Sequence, residues 1–515
     1  MNVSRRLVSG SALRVVQFAT QIGVVFVMMP FVMRTLGSRN YGLWILISAA
    51  VGYTALMDMG LSSGVARYIS RAAGRGDDAE INKVFNTALG LFLQIGGVVF
   101  EITIIGASLC WLLLTDDAEA RTTGLAVLLL GARMALKFPA RTFDGVLTAH
   151  LRYDLQAVAT LTGFLVMNAG IYFALHHGGG IVAMAAAVAG GGLLEYALTI
   201  WFAWRAYPKL RVARGAADAE VRRALFSFSW KTMLWQLAVI LRFKVDSPVI
   251  AHGVGREFIT PYNPGSQLNN YFYEFVTTVI GNTAPLFSRH ESKGDFTAIR
   301  AQFLVLTRMS ACLAMFIGGS ILFYSHAFIL RWIGPHLSQL GGQNSWNVAM
   351  ILALGYTLIL VQTPSSSLLY GISKHHLGAF NSLGEGVLNL VLSLVLVRHY
   401  GIYGVAWATT ISAAVNQLFI YPVIVCRAVE LPCMTFFGEL GLVMAKCAAL
   451  LGIYFYALQN FLRPDYFTLA AMGVAQALLF APACYFLVLR EPEKTRLNHL
   501  VKDALGKFLS RRSQR

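Results

Sequence analysis

Apolar residues run through this chain in stretches of twenty or more, separated by short polar interruptions, and the alternation recurs from end to end. About 20 apolar residues in a helix cross a bilayer core, and inside lipid the backbone must satisfy its own hydrogen bonds. Fourteen windows meet that length: 13–33, 43–65, 84–114, 124–149, 155–175, 181–203, 227–251, 268–286, 303–330, 348–370, 377–397, 404–425, 442–462 and 467–488. The intervals between them leave no room for a soluble domain. The pattern predicts an all-α polytopic membrane protein of about 14 transmembrane helices.

The windows are not independent of one another. Pro30 and Gly37 recur as Pro248 and Gly255, an offset of 218 residues. Ala66, Ser70, Arg71, Gly76, Asp77 and Ile81 recur in the same register as Ala284, Ser288, Arg289, Gly294, Asp295 and Ile299. Farther along, Gly180, Ile181, Ala185 and Ala187 match Gly401, Ile402, Ala406 and Ala408 at offset 221, so three residues are inserted in between. Six windows separate the copies, an even number, so both enter the membrane in the same orientation. Parallel repeats of this kind build transporters whose two halves flank a central site. Accordingly, residues 1–208 are expected to form one six-helix lobe and 224–430 a second, joined by a cytoplasmic linker over 209–223. Residues 431–490 add two further spans, and 491–515 read as a basic amphipathic tail lying on a membrane surface.

Composition narrows the class. Hydrophobic residues make up 56% of the chain and charged residues only 13%, yet the net charge is +17. If the N-terminus is cytoplasmic, about 26 Lys and Arg fall on the cytoplasmic side against about 7 on the other. Both termini are therefore expected in the cytoplasm, with the excess charge explained by topology and by anionic membrane lipids as partners. The basic residues are scattered among spans, so nucleic acid is not an expected partner. Arg5 and Arg6 precede an apolar run that contains Arg14 and lacks a small-residue cleavage site, which predicts a retained first helix rather than a signal peptide.

Charges inside spans are expensive and usually functional. Arg133, Lys137, Arg141 and Asp144 in the fourth span fall within an arc of about 80° and form one net-positive stripe. Such a stripe faces either an anionic substrate or a protein counter-ion. The seventh span carries Arg242, Lys244 and Asp246, with Lys231 near one end; Arg242 and Asp246 stand four apart, in reach of one another. The eighth supplies Asn269, Asn270, Tyr271, Tyr273, Glu274 and Asn282, amides and rings that suit either sugar or interhelical hydrogen bonds. Single carboxylates at Asp58, Glu101, Glu195 and Glu385 are candidates to carry a coupling H⁺ or Na⁺, or to act as fixed partners of a nearby Arg; for Asp58, close to Gly60, the candidate partners are Arg14 and the basic stripe. The scaffold residues repeat between halves while these charges do not.

No motif for enzymatic chemistry is present: there is no phosphate-binding loop, nucleophile elbow or metal-like His/Cys spacing, and no metal or other cofactor is expected. His176–His177 and His375–His376 fall at span ends, where they suit the interface. The six cysteines lie in or beside spans without regular spacing and read as small apolar residues.

The run from Pro30 to Gly37, then Tyr41-Gly42-Leu43-Trp44, Met57 to Leu61, Arg67 to Arg71 and Gly76-Asp77 resembles the opening of the polysaccharide-transporter family. Asn381 to Leu390 and Gly401 to Ala408 are similar to the same family, the lipid-linked oligosaccharide flippases (O-antigen type) of the multidrug/oligosaccharidyl-lipid/polysaccharide exporter superfamily. The likeness extends through about Pro422. It implies two six-helix lobes around a central cavity worked by alternating access, in the bacterial cytoplasmic (inner) membrane. It also implies a polyprenyl-diphosphate-linked glycan as the molecule moved to the outer leaflet, with polysaccharide assembly proteins as further partners. Arg133, Lys137, Arg141 and Arg242 are then expected at the diphosphate, and Asn269, Asn270, Tyr273 and Glu274 at the sugars. Asp58, Glu101, Asp144 and Asp246 are the expected ion-coupling candidates. A drug or cation antiporter of the same superfamily and a peptidoglycan-precursor flippase are the nearest alternatives; a membrane glycosyltransferase or polymerase fits less well, because the external loops are short.

Overall fold

The computed structural model describes residues 3–213 and 218–488, together with 490, 491 and 494. The side chains of Arg5, Arg6, Arg14, Lys231 and Asn282, and the expected basic tail beyond 494, lie outside that description. The described chain is almost entirely helical, and contacts divide it into two compact units, Met1–Thr260 and Pro261–Arg515.

The first unit contains α1 (Val3–Gly52), α2 (Leu61–Arg75), α3 (Asp78–Leu113), α4 (Asp117–Ala149), α5 (Tyr153–His176), α6 (Ile181–Ala206), α7 (Ala219–Phe243) and α8 (Asp246–Gly253). A tight helical stretch, Tyr53–Asp58, leads into α2. α1 breaks at Gly37, whose φ of 73° is open to glycine and costly for residues with a Cβ. The unit's core gathers Leu61, Val65 and Ile69 of α2 with Phe85 and Phe92 of α3 and Phe138 and Phe143 of α4. Phe85 and Phe143 meet edge to face with ring centres 5.1 Å apart. Lipid gives apolar helices no incentive to associate, so close backbone approach must do so. At Gly96 a Cβ would lie 2.7 Å from the Ala135 carbonyl, so α3 and α4 meet there without side chains between them.

The second unit holds α9 (Ile259–Ile280), whose first two residues belong to the first unit, then α10 (Ala284–Glu291), α11 (Phe296–Trp332) and the single turn α12 (Pro335–Ser338). There follow α13 (Ser345–Val361), α14 (Thr363–Gly371), α15 (His375–Tyr400), α16 (Ile402–Val415), α17 (Tyr421–Ala428), α18 (Cys433–Leu458) and α19 (Tyr466–Leu487). Between α16 and α17 the helix widens to π-type hydrogen bonding over Asn416–Ile420. Two-residue strands Gln339–Leu340 and Gln343–Asn344 close the turn before α13.

Every one of the fourteen expected spans has a helical counterpart. Eleven described stretches are long and apolar enough to cross a membrane on composition alone. The first two expected spans fall together in Val16–Asp58, because helical geometry resumes directly after Gly37. The seventh falls short because α7 is apolar only over Met233–Phe243, and the eighth because α9, 22 residues long, interrupts its apolar residues with Asn, Tyr, Pro and Gln.

The repeat acquires a physical meaning here. Gly37 and Gly255 both adopt positive φ, 73° and 116°, and so do Gly76 and Gly294, at 70° and 68°. Asp77 and Asp295 each cap the following helix, accepting from the backbone N–H three residues on at 2.9 Å. Among the residues kept in both copies, Gly37, Gly76 and Asp77 and their counterparts stop one helix and start the next.

Candidate functional site

The charged stripe of α4 runs along the interior of the first unit, and its members meet different neighbours. Arg141 Nη1 lies 2.8 Å from Asp58 Oδ1, with the guanidinium stacked 5.6 Å above the Phe138 ring. Asp58, only 4% exposed, also accepts from Ser62 Oγ at 2.5 Å. Asp58 ends the stretch Tyr53–Asp58, and Tyr53 at its other end donates to the Lys244 carbonyl at 2.6 Å, where α7 gives way to α8. One short segment therefore touches both the α4 stripe and the α7–α8 break.

Arg133, two turns away from Arg141, lies against α6. A Cβ on Gly192 would stand 2.1 Å from Arg133 Nε, so this glycine makes the room the side chain occupies. Among the described residues that buried Nε has no hydrogen-bond partner, and neither does the buried hydroxyl of Tyr196 beside it on α6. Lys137 sits between, within electrostatic reach of Glu195, Asp144, Arg133 and Arg141. Among the described residues it has no ion pair within 4.0 Å. Glu195 accepts from Thr160 Oγ1 of α5 at 3.1 Å. Among the described residues three cations and three carboxylates thus share this interior, and of these six only Arg141 and Asp58 are in contact. The stripe alone is net positive; Asp58 and Glu195, arriving from other helices, bring the formal sum to zero.

The remaining first-unit candidates are placed as follows. Asp246 is 8% exposed in the first turn of α8. Arg242 lies 5.3 Å from the Phe243 ring centre. Glu101 is exposed on α3 among exposed Phe100, Ile104 and Ile105, on a different face from the α4 cluster. A second ionic cluster stands at the start of α4: Glu119 receives both Arg256 and Arg39, the latter at 3.3 Å, so it ties the turn after Gly37 to the turn after Gly255.

In the second unit, Asn269 is fully enclosed and its amide donates to the Gly265 and Ala349 carbonyls at 2.9 and 3.0 Å, fastening α9 to α13. Asn270 accepts from Tyr356 OH at 3.3 Å, and the Tyr273 and Tyr356 rings meet edge-on at 6.2 Å. Glu274 is exposed. Tyr356 belongs to this group but was not expected from the sequence.

A further buried network forms around Glu385, one of the expected single carboxylates, and its amide partners were not expected. Glu385 accepts from Asn416 and, at 3.0 Å, from Gln417, both in the π-type segment. Gln362 donates to the Gln417 carbonyl at 3.2 Å and accepts from Ser365 at 2.7 Å. Its signal lay in the repeat. At offset 221, Arg141, Asn168, Glu195 and Tyr196 align with Gln362, Asn389, Asn416 and Gln417. The same positions are polar in both units; two of the four are charged in the first, and all four are amides in the second.

A family model described as "Polysaccharide biosynthesis protein" matches residues 9–291. Over 484 residues the chain is 23% identical to "Uncharacterized membrane protein EpsK" of Bacillus subtilis, covering 91% of this chain and 92% of that one. It is 22% identical over 400 residues to the Shigella flexneri protein named "Putative O-antigen transporter", covering 76% and 91%. Among solved structures, the lipid II flippase MurJ in an inward closed conformation matches with a TM-score of 0.65 at 13% identity, covering 92% of this chain and 99% of that one.

Proposed function

The chain belongs to the polysaccharide biosynthesis protein family, and from that premise we propose that it is a flippase carrying a polyprenyl-diphosphate-linked oligosaccharide across the bacterial cytoplasmic membrane. One observation carries the choice of an anionic lipid. Arg133 and Lys137 stand inside an apolar bundle with no contact counter-ion among the described residues, whereas Arg141 is already held by Asp58. A cation kept in such a place without a partner costs a few kcal/mol on insertion scales, and a diphosphate supplies the missing contacts. Arg133 and Lys137 are therefore the primary diphosphate ligands, Arg141 a positioned neighbour, and Arg242 a second contact from α7. The glycan meets Asn270, Tyr273 and Tyr356, where amide and ring faces are assembled together.

Asp144 and Glu195 are the carboxylates placed to couple transport to an H⁺ or Na⁺ gradient, since each shares the interior with Lys137 without a contact ion pair. They also favour a second reading, a cation antiporter, in which those two carboxylates bind the substrate. Reconstituted protein distinguishes the two. Translocation of a fluorescent polyprenyl-diphosphate sugar should fall at least tenfold in Arg133→Ala and in Lys137→Ala. Unchanged flipping in both variants, or uptake of a cationic dye that depends on Glu195, would overturn the lipid assignment.

A further inference from the structure

Independently of what is transported, we propose that the second unit contains a binding site for one soft, thiophilic metal ion of the copper(I) class, formed by Cys312, Cys447 and Cys484. These residues come from three helices and are separated in sequence by 135 and 37 positions. Their sulfurs nevertheless lie within 4.8 Å of one another, and the Cys312 and Cys447 sulfurs are 3.9 Å apart. A metal bound to three thiolates at about 2.3 Å in a plane holds its sulfurs about 4.0 Å apart. The observed pair already has that spacing. Thiolate ligands select copper(I) or zinc over harder ions. Three sulfurs complete a trigonal copper(I) shell, whereas zinc would require a fourth ligand.

The site is one rung of a regular ladder between α11 and the last two helices. Along α11, Arg308, Cys312, Phe316 and Ser320 recur every fourth residue and face one side. Ser320 accepts from Gln476 at 2.9 Å, and Phe316 packs on Phe480 with ring centres 5.2 Å apart. Cys312 meets Cys484 and Cys447, and Arg308 pairs with Glu439 at 2.9 Å. The phenylalanine rung closes the sulfurs off on one side. On the other stand the Arg308–Glu439 pair and Lys446, which donates to the Leu487 carbonyl at 2.8 Å. That polar side is the route for the ion; Arg490 also pairs with Glu439, so Arg308, Arg490 and Lys446 stand there against one carboxylate and offset the negative charge of a metal thiolate. On binding, three S–H bonds break, three metal–sulfur bonds form and three protons leave; no electron is transferred. The ion would fasten α18 and α19 to α11, joining the two spans outside the repeat to a helix within it.

The test uses the full-length protein in nanodiscs, reduced and stripped with a chelator, then titrated anaerobically with copper(I) against a competing chelator and separately with zinc(II). The expected result is one copper(I) per chain, with thiolate-to-metal charge-transfer absorption and tighter binding than zinc. Each of Cys312→Ser, Cys447→Ser and Cys484→Ser should weaken binding by more than about tenfold, the smallest loss usual for outer-shell changes. Cys110→Ser and Cys433→Ser should bind as wild type. Should a serine variant fail to fold, copper(I) in the wild type should still shield these three thiols from maleimide while leaving Cys110 reactive. Absence of stoichiometric binding, binding that survives all three serine variants, unshielded thiols, zinc bound more tightly than copper(I), or a Cys312–Cys447 disulfide in anaerobically purified protein would overturn the assignment.

Discussion

Replacing Asp58 with Asn tests whether this carboxylate fixes Arg141 or is free to load an ion. The pair is 2.8 Å apart, with side-chain exposures of 22% for Arg141 and 6% for Asp58. At that separation and an effective dielectric of about 20, the gross attraction is about 6 kcal/mol. Desolvation offsets part of it, and removing one partner of a buried pair typically costs about 3–5 kcal/mol. Arg141 keeps some exposure and the Phe138 face, so Asp58→Asn should cost about 2–4 kcal/mol. Arg141→Gln should cost at least as much, because it strands the more enclosed charge. In the double variant two amides replace two charges and no ion is stranded. Its loss should fall short of the sum of the single losses by about 2 kcal/mol or more. Apparent unfolding midpoints in one detergent, followed by tryptophan fluorescence, measure all four proteins. If the single losses simply add, the two side chains are not energetically coupled and the pairing argument fails. If Asp58→Asn leaves the midpoint unchanged but abolishes the dependence of flipping on an ion gradient, Asp58 is a coupling group instead.

Other changes follow from the same geometry. Gly192→Ala would place a methyl 2.1 Å from Arg133 Nε, and the flexible side chain can yield at a cost of about 1 kcal/mol. Flipping should therefore slow severalfold with little change in midpoint, and an unaltered rate would argue that the position of Arg133 does not matter. Glu119→Gln removes the acceptor shared by Arg256 and Arg39 and should cost about 1–3 kcal/mol. Maleimide labelling of a cysteine introduced at Ser38 should then accelerate; equal rates in both backgrounds would show that Glu119 does not restrain that turn. Asn269→Ala should lower the midpoint, because it cuts the tie to Ala349 inside a closed interface, and should leave substrate KM unchanged. Asn270→Ala should do the reverse, and a KM effect in Asn269→Ala alone would return the sugar role to Asn269.

How much of this was legible beforehand depends on the range of the forces involved. Gly37, Gly76, Asp77 and their partners 218 residues later could be picked out because stopping and capping a helix are local requirements. The α4 stripe was equally visible, since helical periodicity alone places its members on one face. Its partners were legible only in part. Asp58 was a candidate to hold either Arg14 or the basic stripe, and it holds Arg141 of the stripe; which cation it takes is not selected by either neighbourhood, because Arg141 lies 83 residues away. Asn269 and Asn270 look alike in the chain, yet one is enclosed between α9 and α13 and the other meets Tyr356. That difference is a rotation of about 100° around one helix axis, and it acquires meaning only once the neighbouring helix is in place.

By itself, then, the sequence determined the spans, their breaks, the doubling of the scaffold and the presence of interior charge. Hydropathy, glycine backbones and capping side chains act over a few residues and need no partner. The tertiary structure decided which charges are neutralised, which are left facing one another without contact, and which thiols meet. Those outcomes depend on how far each helix is turned and how closely small residues let its neighbours approach. The stripe in α4 was visible as three cations and a carboxylate. Packing against the Tyr53–Asp58 stretch and α6 made it an interior of balanced charge in which only Arg141 and Asp58 touch.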